Sequence, residues 1–232
     1  MNIPPLDINL IRQDPESDDC LRACALMILK YYNDPIKKET LWKKLHAYKK
    51  HSGLKGAYLQ DLGSLAIKLG YQATIYHYDW GWWDEETASE STKGKKTFLA
   101  SLKRLKKEKK SWPDKKSIEK DIKFVKTGGK FRFSFPKIEN IDFNIVNRIP
   151  VILSTNAQFL YHQPKSEYDH SIVIVGKENE DYLIRDPLYG LEKIDKDNLF
   201  LAWCKASGWM LIIKKRTFQK EDLKIRQPKL KF

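Results

Sequence analysis

Residues 13–33, QDPESDDCLRACALMILKYYN, change character at one position. Up to Asp19 the stretch is polar and turn-rich, with Asp14, Pro15, Ser17, Asp18 and Asp19. From Cys20 it turns apolar. Ala23, Leu26, Met27, Lys30 and Tyr31 fall at three- and four-residue steps, the period of a helix with one face turned inward. Asp18 and Asp19 are good N-cap residues, which places Cys20 in the first turn of a buried helix. The positive end of the helix dipole there favours thiolate, the nucleophilic form. Gln13, a little upstream, has a side-chain amide able to donate to a developing oxyanion. Taken alone, Cys20 is more simply a small buried hydrophobe, as most cysteines are; what shifts the balance lies far downstream.

Length and composition narrow the setting. With 232 residues, 41% of them hydrophobic and seven Trp, the chain can bury a real core. The natural organisation is one domain with an insertion, or one and a half domains. Three cysteines without a CxxC pair build neither a disulfide framework nor a zinc site, so a reducing compartment and no cofactor or metal are expected. The start, MNIPPLDINL, lacks the basic and apolar regions of a cleaved signal peptide, and no apolar run reaches bilayer length; a cytoplasmic protein is the expectation. The net charge of +13 is unevenly placed: residues 91–130 hold fifteen Lys/Arg against four Asp/Glu, and the remainder is nearly neutral. The basicity belongs to a segment and not to the fold.

After the Cys20 helix, Asn33-Asp34-Pro35 marks a turn. Residues 38–50 show Leu41, Trp42, Leu45 and Tyr48 at helical spacing, with His46 and His51 expected at the surface. A third helix is predicted from Tyr58 to Leu69 with Gly70 as its C-cap, then a strand from Tyr71 to Tyr78. Asp79 to Glu90 (DWGWWDEETASE) reads as a loop whose tryptophans either wall a groove or cap a core edge. Two lysine-faced helices follow, Thr97 to Lys110 (Phe98, Leu99, Leu102 and Leu105 inward) and Ser117 to Lys126 (Ile118, Ile122 and Val125 inward). Gly128-Gly129 breaks the pattern before an alternating strand from Lys130 to Phe135 and a short helix from Ile141 to Asn147. The last third reads almost entirely as strand: Pro150–Thr155, Ser171–Gly176, Asp181–Asp186 and Trp209–Lys214. Helices first and antiparallel sheet after is the segregated α+β pattern.

Asp169-His170 stands at the mouth of the apolar strand SIVIVG, and Asp186-Pro187 ends the next strand. If a turn at Lys177 to Glu180 pairs the two as a hairpin, His170 and Asp186 share one edge of the sheet. A carboxylate accepting from one imidazole nitrogen fixes the tautomer and leaves the other nitrogen for a thiol. Singly, His170 is most simply a core-edge histidine and Asp-Pro a turn. With Cys20 and Gln13 in this order, they make the parts of an activated thiolate.

These residues resemble a known family. Gln13, Asp19-Cys20, Ala23 and Met27, then His170 through Gly176, and Asp186-Pro187 with Gly190, are similar to the papain-like cysteine peptidases that remove double-glycine leaders from bacteriocins, including their stand-alone bacterial relatives. Gly56 through Leu62 to Gly70-Tyr71, and residues 148–152 (RIPVI), match further blocks. The resemblance covers roughly residues 10–78 and 147–213 and leaves out the lysine-rich middle. It implies a single papain-like domain over residues 1–216, with an insertion at about 80–140 and a polar tail at 217–232. It further implies Cys20 as nucleophile, His170 as base and then acid, Asp186 as orienting residue and Gln13 as oxyanion donor, acting on a peptide or protein. Two departures stand out. Leu21 occupies the place where relatives usually have glycine. The Gln13–Cys20 interval is also one residue longer, so either the loop bulges or Gln13 is not the donor.

Two other functional classes remain open on the sequence. A non-catalytic binder could keep the fold and use residues 91–130 to hold an acidic protein, nucleic acid or anionic membrane. The scarcity of arginine and the helical spacing of the lysines favour an ordinary solvated face over a nucleic-acid site. An effector delivered into another cell is the third class, with no direct signal for delivery. For a peptide groove, Trp80, Trp82 and Trp83 are the expected wall.

Overall fold

A computed structural model describes residues 2–49, 55–163 and 168–216. His51 and the tail at 217–232 lie outside the described residues. In chain order the elements are α1 (Cys20–Tyr31), α2 (Lys38–Lys44), β1 (Tyr48–Lys49), β2 (Lys55–Gly56), α3 (Leu59–Lys68), β3 (Tyr71–His77), α4 (Glu85–Lys93), α5 (Lys95–Glu108) and α6 (Trp112–Thr127). They continue with β4 (Lys130–Phe133), α7 (Ile138–Val146), β5 (Val151–Asn156), α8 (Ala157–Tyr161), β6 (Asp169–Glu178), β7 (Asp181–Arg185), β8 (Lys193–Asp195), α9 (Lys196–Lys205) and β9 (Met210–Lys215). Among the described residues seven strands form one sheet in the order β4-β3-β9-β5-β6-β7-β8. All its pairs are antiparallel except β3 with β4. Among the described residues no helix is long and apolar enough to cross a membrane.

The sheet separates two cores. On one side α1, α3 and the inner faces of α5 and α6 pack against Ile75, Val173, Val175 and Ile213. On the other, α7 and α9 cover Leu153, Ile172, Ile174 and Ile184. Alternate residues of β6 feed the two cores, which explains why SIVIVG is apolar without interruption. Gly176 closes that run because residues 3–6 cross over it: a Cβ there would lie 2.9 Å from the Ile3 carbonyl oxygen and 2.9 Å from Pro5 Cα. Ile3 and Lys177 exchange backbone hydrogen bonds at the same crossing.

Several sequence expectations need correction. The second helix stops at Lys44, and Tyr48, assigned to its apolar face, pairs in β1 with Gly56. The Asp79–Glu90 segment is only half loop. Asp84 caps Thr87 N–H and starts α4, a helix with too few apolar residues for its period to show. The C-terminal third holds α8 and α9 as well as strands, because Asn156 and Asp195 cap their first turns. Nor are helices and sheet fully segregated along the chain, since β3 and β4 come from its first half and middle and complete one side of the sheet.

The lysine-rich segment folds as the α4–α6 unit and is held from inside. Phe98, Leu102, Leu105, Ile118 and Val125 are buried as the periodicity predicts, whereas Leu99 and Ile122 are only partly covered and Phe124, outside the expected face, is fully buried. Two charged residues on the inward face went unanticipated. Lys120 pairs with Asp61 of α3 at 2.6 Å. Asp121, fully buried, accepts from Gln60 Nε2 (2.8 Å), Trp82 Nε1 (2.7 Å) and Trp83 Nε1 (3.0 Å). Burial pushes the Asp121 carboxyl up to about 7, against the pull of those three donors.

Candidate active site

Cys20, His170 and Asp186 each sit where an element begins or ends. Cys20 is the first residue of α1 and is half-buried. Asp19 occupies the N-cap position, yet its carboxylate does not cap the helix. It takes Arg22 Nη1 and Trp42 Nε1 instead, each at 2.7 Å. The expected cap is therefore a brace between α1 and α2, and no side chain of Asp19 closes over the first-turn N–H groups beside Cys20.

The hairpin expected from the sequence forms, with Asn179 at φ +56 in its turn and Glu178 opposite Asp181. Val173 pairs with Arg185, so Asp186, one step beyond β7, falls level with Ile172. His170 is two residues along from Ile172 and thus on the same face. The result is a hydrogen bond of 2.8 Å between His170 Nε2 and Asp186 Oδ1, with the two side chains 2% and 0% exposed. Asp186 Oδ1 also accepts the Leu188 N–H at 2.8 Å, and Oδ2 accepts the Tyr161 hydroxyl at 2.9 Å. Burial raises the Asp186 carboxyl, but the bond from His170 followed by those from Leu188 and Tyr161 outweighs it, and the group stands below its ordinary value. Burial likewise pulls the His170 imidazole down. Hydrogen bonds to Asp186 and to Cys20, with the charge on both, reverse this and hold it up at about 9. With Nε2 committed to Asp186, Nδ1 is the nitrogen left for the Cys20 sulfur.

Gln13 reaches the same place. Residues 14–17, within the interval before Cys20, fold into a turn, with Ser17 N–H donating to the Asp14 carbonyl at 2.9 Å. Gln13 N–H donates to the Pro187 carbonyl at 2.9 Å, tying the approach to Cys20 to the turn that follows Asp186. One N–H of its side-chain amide goes to the Ser17 carbonyl at 2.8 Å. Gln13, Cys20, Leu21, Tyr168, His170 and Tyr189 are among the residues lining an open cavity of about 350 Å³.

The structure thus brings all four sequence-designated residues, Cys20, His170, Asp186 and Gln13, into one neighbourhood. It separates the three tryptophans. Trp82 lines a second cavity beside the first, Trp83 is buried in the core, and Trp80 is 56% exposed against Phe133. His46 is exposed as expected. Cys24, one turn below Cys20, donates its thiol to the Ser171 carbonyl at 3.2 Å, and burial, reinforced by the charges of Cys20 and Asp186, raises it well above an ordinary thiol. It is a structural cysteine. Tyr161 escaped the sequence reading because α8 is five residues long and carries no periodic signal. Among the described residues, no group of three His, Cys, Asp or Glu could hold a metal ion.

No protein-family model matches the chain, and no curated protein does. Solved structures do. A protein from Bacillus anthracis described as a C39-like peptidase superposes with a TM-score of 0.58 at 16% identity, covering 94% of this chain and all of the other. A double glycine motif protease from an AMS/PCAT transporter, solved with its leader peptide, scores 0.49 at 17% identity over 91% of this chain and 94% of its own. The peptidase domain of Streptococcus ComA scores 0.46 at 14% identity over 90% and 99%. The last two scores are too low to argue from. The first establishes the fold, the papain-like arrangement that the sequence resemblance implied.

Proposed function

We propose that the protein is a thiol-dependent hydrolase of the cysteine peptidase kind, acting on a peptide or another amide or acyl bond. The observation that carries this is the 2.8 Å bond between buried His170 and buried Asp186, with His170 raised by Asp186 and then by Cys20 at the mouth of an open cavity. A buried imidazole held charged beside a cysteine at a helix start is the setting in which a thiolate persists at neutral pH.

In this reading the Cys20 thiolate attacks the substrate carbonyl carbon. The oxyanion that forms takes hydrogen bonds from the first-turn backbone of α1 and from the Gln13 amide N–H that otherwise lies 3.5 Å from the Asp14 carbonyl. His170 passes its Nδ1 proton to the departing amine as the C–N bond breaks, leaving a thioester on Cys20. His170 then takes a proton from water, the resulting hydroxide attacks the thioester, and the carboxylic acid leaves as the thiolate is restored. Asp186 stays ionised throughout and orients the ring.

The test compares wild type with Cys20→Ala on a peptide library, recording product masses. Turnover lost on an intact fold supports the proposal, and turnover unchanged removes it. Alkylation gives a second check: Cys20 should react at neutral pH well ahead of Cys204, whose thiol is raised by burial.

A further inference from the structure

Past Cys20 the cleft opens into a second cavity of about 220 Å³. The two cavities share Leu21, Ala57, Ser154, Asp169 and Ser171, so they are lobes of one groove, with Leu21 at the step between them. The second lobe is walled by Trp82, Trp209 and Tyr58. These rings are fixed from behind. Trp82 donates its indole N–H to buried Asp121 and its backbone N–H to Asp79 Oδ1 at 3.0 Å. Trp209 lies flat on the buried ring of His77, centroids 4.1 Å apart, and meets Trp82 edge-on at 5.6 Å. The lobe is an open cavity with an aromatic wall held in place from behind.

Its charge is opposite to that of the molecule. The chain carries +13, yet the two lobes are lined by Glu16, Asp18, Asp79, Asp114 and Asp169 and, among the described residues, by no lysine or arginine. Aromatic faces with carboxylates around them attract a cation on an aliphatic stem. The same carboxylates repel an acidic side chain, which makes the groove selective as well as receptive. An apolar side chain would gain the rings but nothing from Asp79, Asp114 and Asp169. With five carboxylates against the one imidazolium of His170, the groove is net negative and draws cationic ligands in from solution.

We propose that this groove takes a substrate segment bearing lysine or arginine, with the cationic side chain seated against Trp82 and Trp209 among Asp79, Asp114 and Asp169. The proposal rests on the assignment of Cys20 and His170 as the hydrolytic pair and adds the class of substrate they serve.

The experiment uses peptides of one length in which Lys, Leu, Phe or Glu is stepped through each position around the scissile bond. At one position the Lys peptide should exceed the Leu and Phe peptides in kcat/KM by about tenfold, with the Glu peptide lowest. The advantage should shrink as salt is added. Asp114→Asn, and separately Asp79→Asn, should bring the Lys-to-Leu ratio toward one. Leu, Phe or Glu equal to or better than Lys at every position overturns the inference while the hydrolase assignment stands. If the wild type cleaves none of the peptides, calorimetric binding of the Lys and Glu peptides to the same protein decides: tighter Lys binding sustains the groove whichever amide or acyl bond the site acts on, and equal binding sinks it.

Discussion

The cleft and the α4–α6 unit use charge in opposite ways. Residues 91–130 carry most of the net charge, +11 of +13, but most of those lysines stand in water. Lysines 103, 106, 107, 115 and 126 line an outer groove between α5 and α6, where Lys106 meets Glu119 at 2.6 Å with both side chains more than a third exposed. Such pairs contribute about 0–1 kcal/mol each. The cleft has far fewer charges, and they govern its chemistry. Asp186 is fully covered and receives three donors, and its bond to His170, with the contact from Cys20, holds the imidazole up at about 9. Burial and hydrogen bonding decide what a charge does; number does not. The α4–α6 unit makes the same point on its inner side, where one carboxylate, Asp121, gathers donors from α3 and from the loop after β3.

The comparison breaks first at Asp186. Replacing it with asparagine removes the charge that supports the imidazolium, and kcat/KM should fall by about a thousandfold or more, measured on any substrate the wild type cleaves. A loss under tenfold would put Asp186 on the same footing as the surface charges. Asp121→Ala comes next: it leaves the Gln60, Trp82 and Trp83 donors buried without an acceptor and should cost about 3 kcal/mol in denaturant unfolding. Asp121 also marks stability with pH. Its carboxyl is raised in the folded protein to about 7, so the folded state holds the proton more tightly than the unfolded chain, and its contribution declines as pH rises from the ordinary aspartate range through 7. Asp121→Asn should flatten that decline.

A smaller effect sharpens the comparison at His170. Being raised to about 9, the imidazolium should persist past neutrality and lose its proton near pH 9. The stability linked to it is present below the ordinary histidine value and is lost as pH rises through about 9. The alkaline limb of kcat/KM should fall there, roughly tenfold per pH unit. A limb near the unperturbed histidine value would show that Asp186 and Cys20 do not hold the ring as described. The smallest effect belongs to the lysine face. Lys103→Gln, Lys107→Gln and Lys115→Gln should each change unfolding free energy by no more than about 0.5 kcal/mol. Larger losses would mean that the outer groove is a built part of the fold.

What the sequence could determine follows from the range over which its signals act. Helical period and strand composition are local, so α1, α3, α5, α6 and the apolar strands β5, β6, β7 and β9 were legible within a few residues at their ends. The short elements α8 and β8, and α4 with its sparse apolar content, fell below that signal. The candidate site was legible because Cys20, His170 and Asp186 each sit at an element boundary, where the change from polar to apolar marks the position. Tyr161 and Leu188 were not, since their bonds to Asp186 depend on where α8 and the 186–190 turn are packed. The diversion of the Asp19 side chain to Arg22 and Trp42, the burial of Lys120 and Asp121, and the division of Trp80, Trp82 and Trp83 among solvent, groove and core were all decided by tertiary structure. Apart from the local Asp19–Arg22 pair, each depends on a partner some twenty or more residues away or on which side of the sheet a segment docks, and no periodicity within one segment carries that.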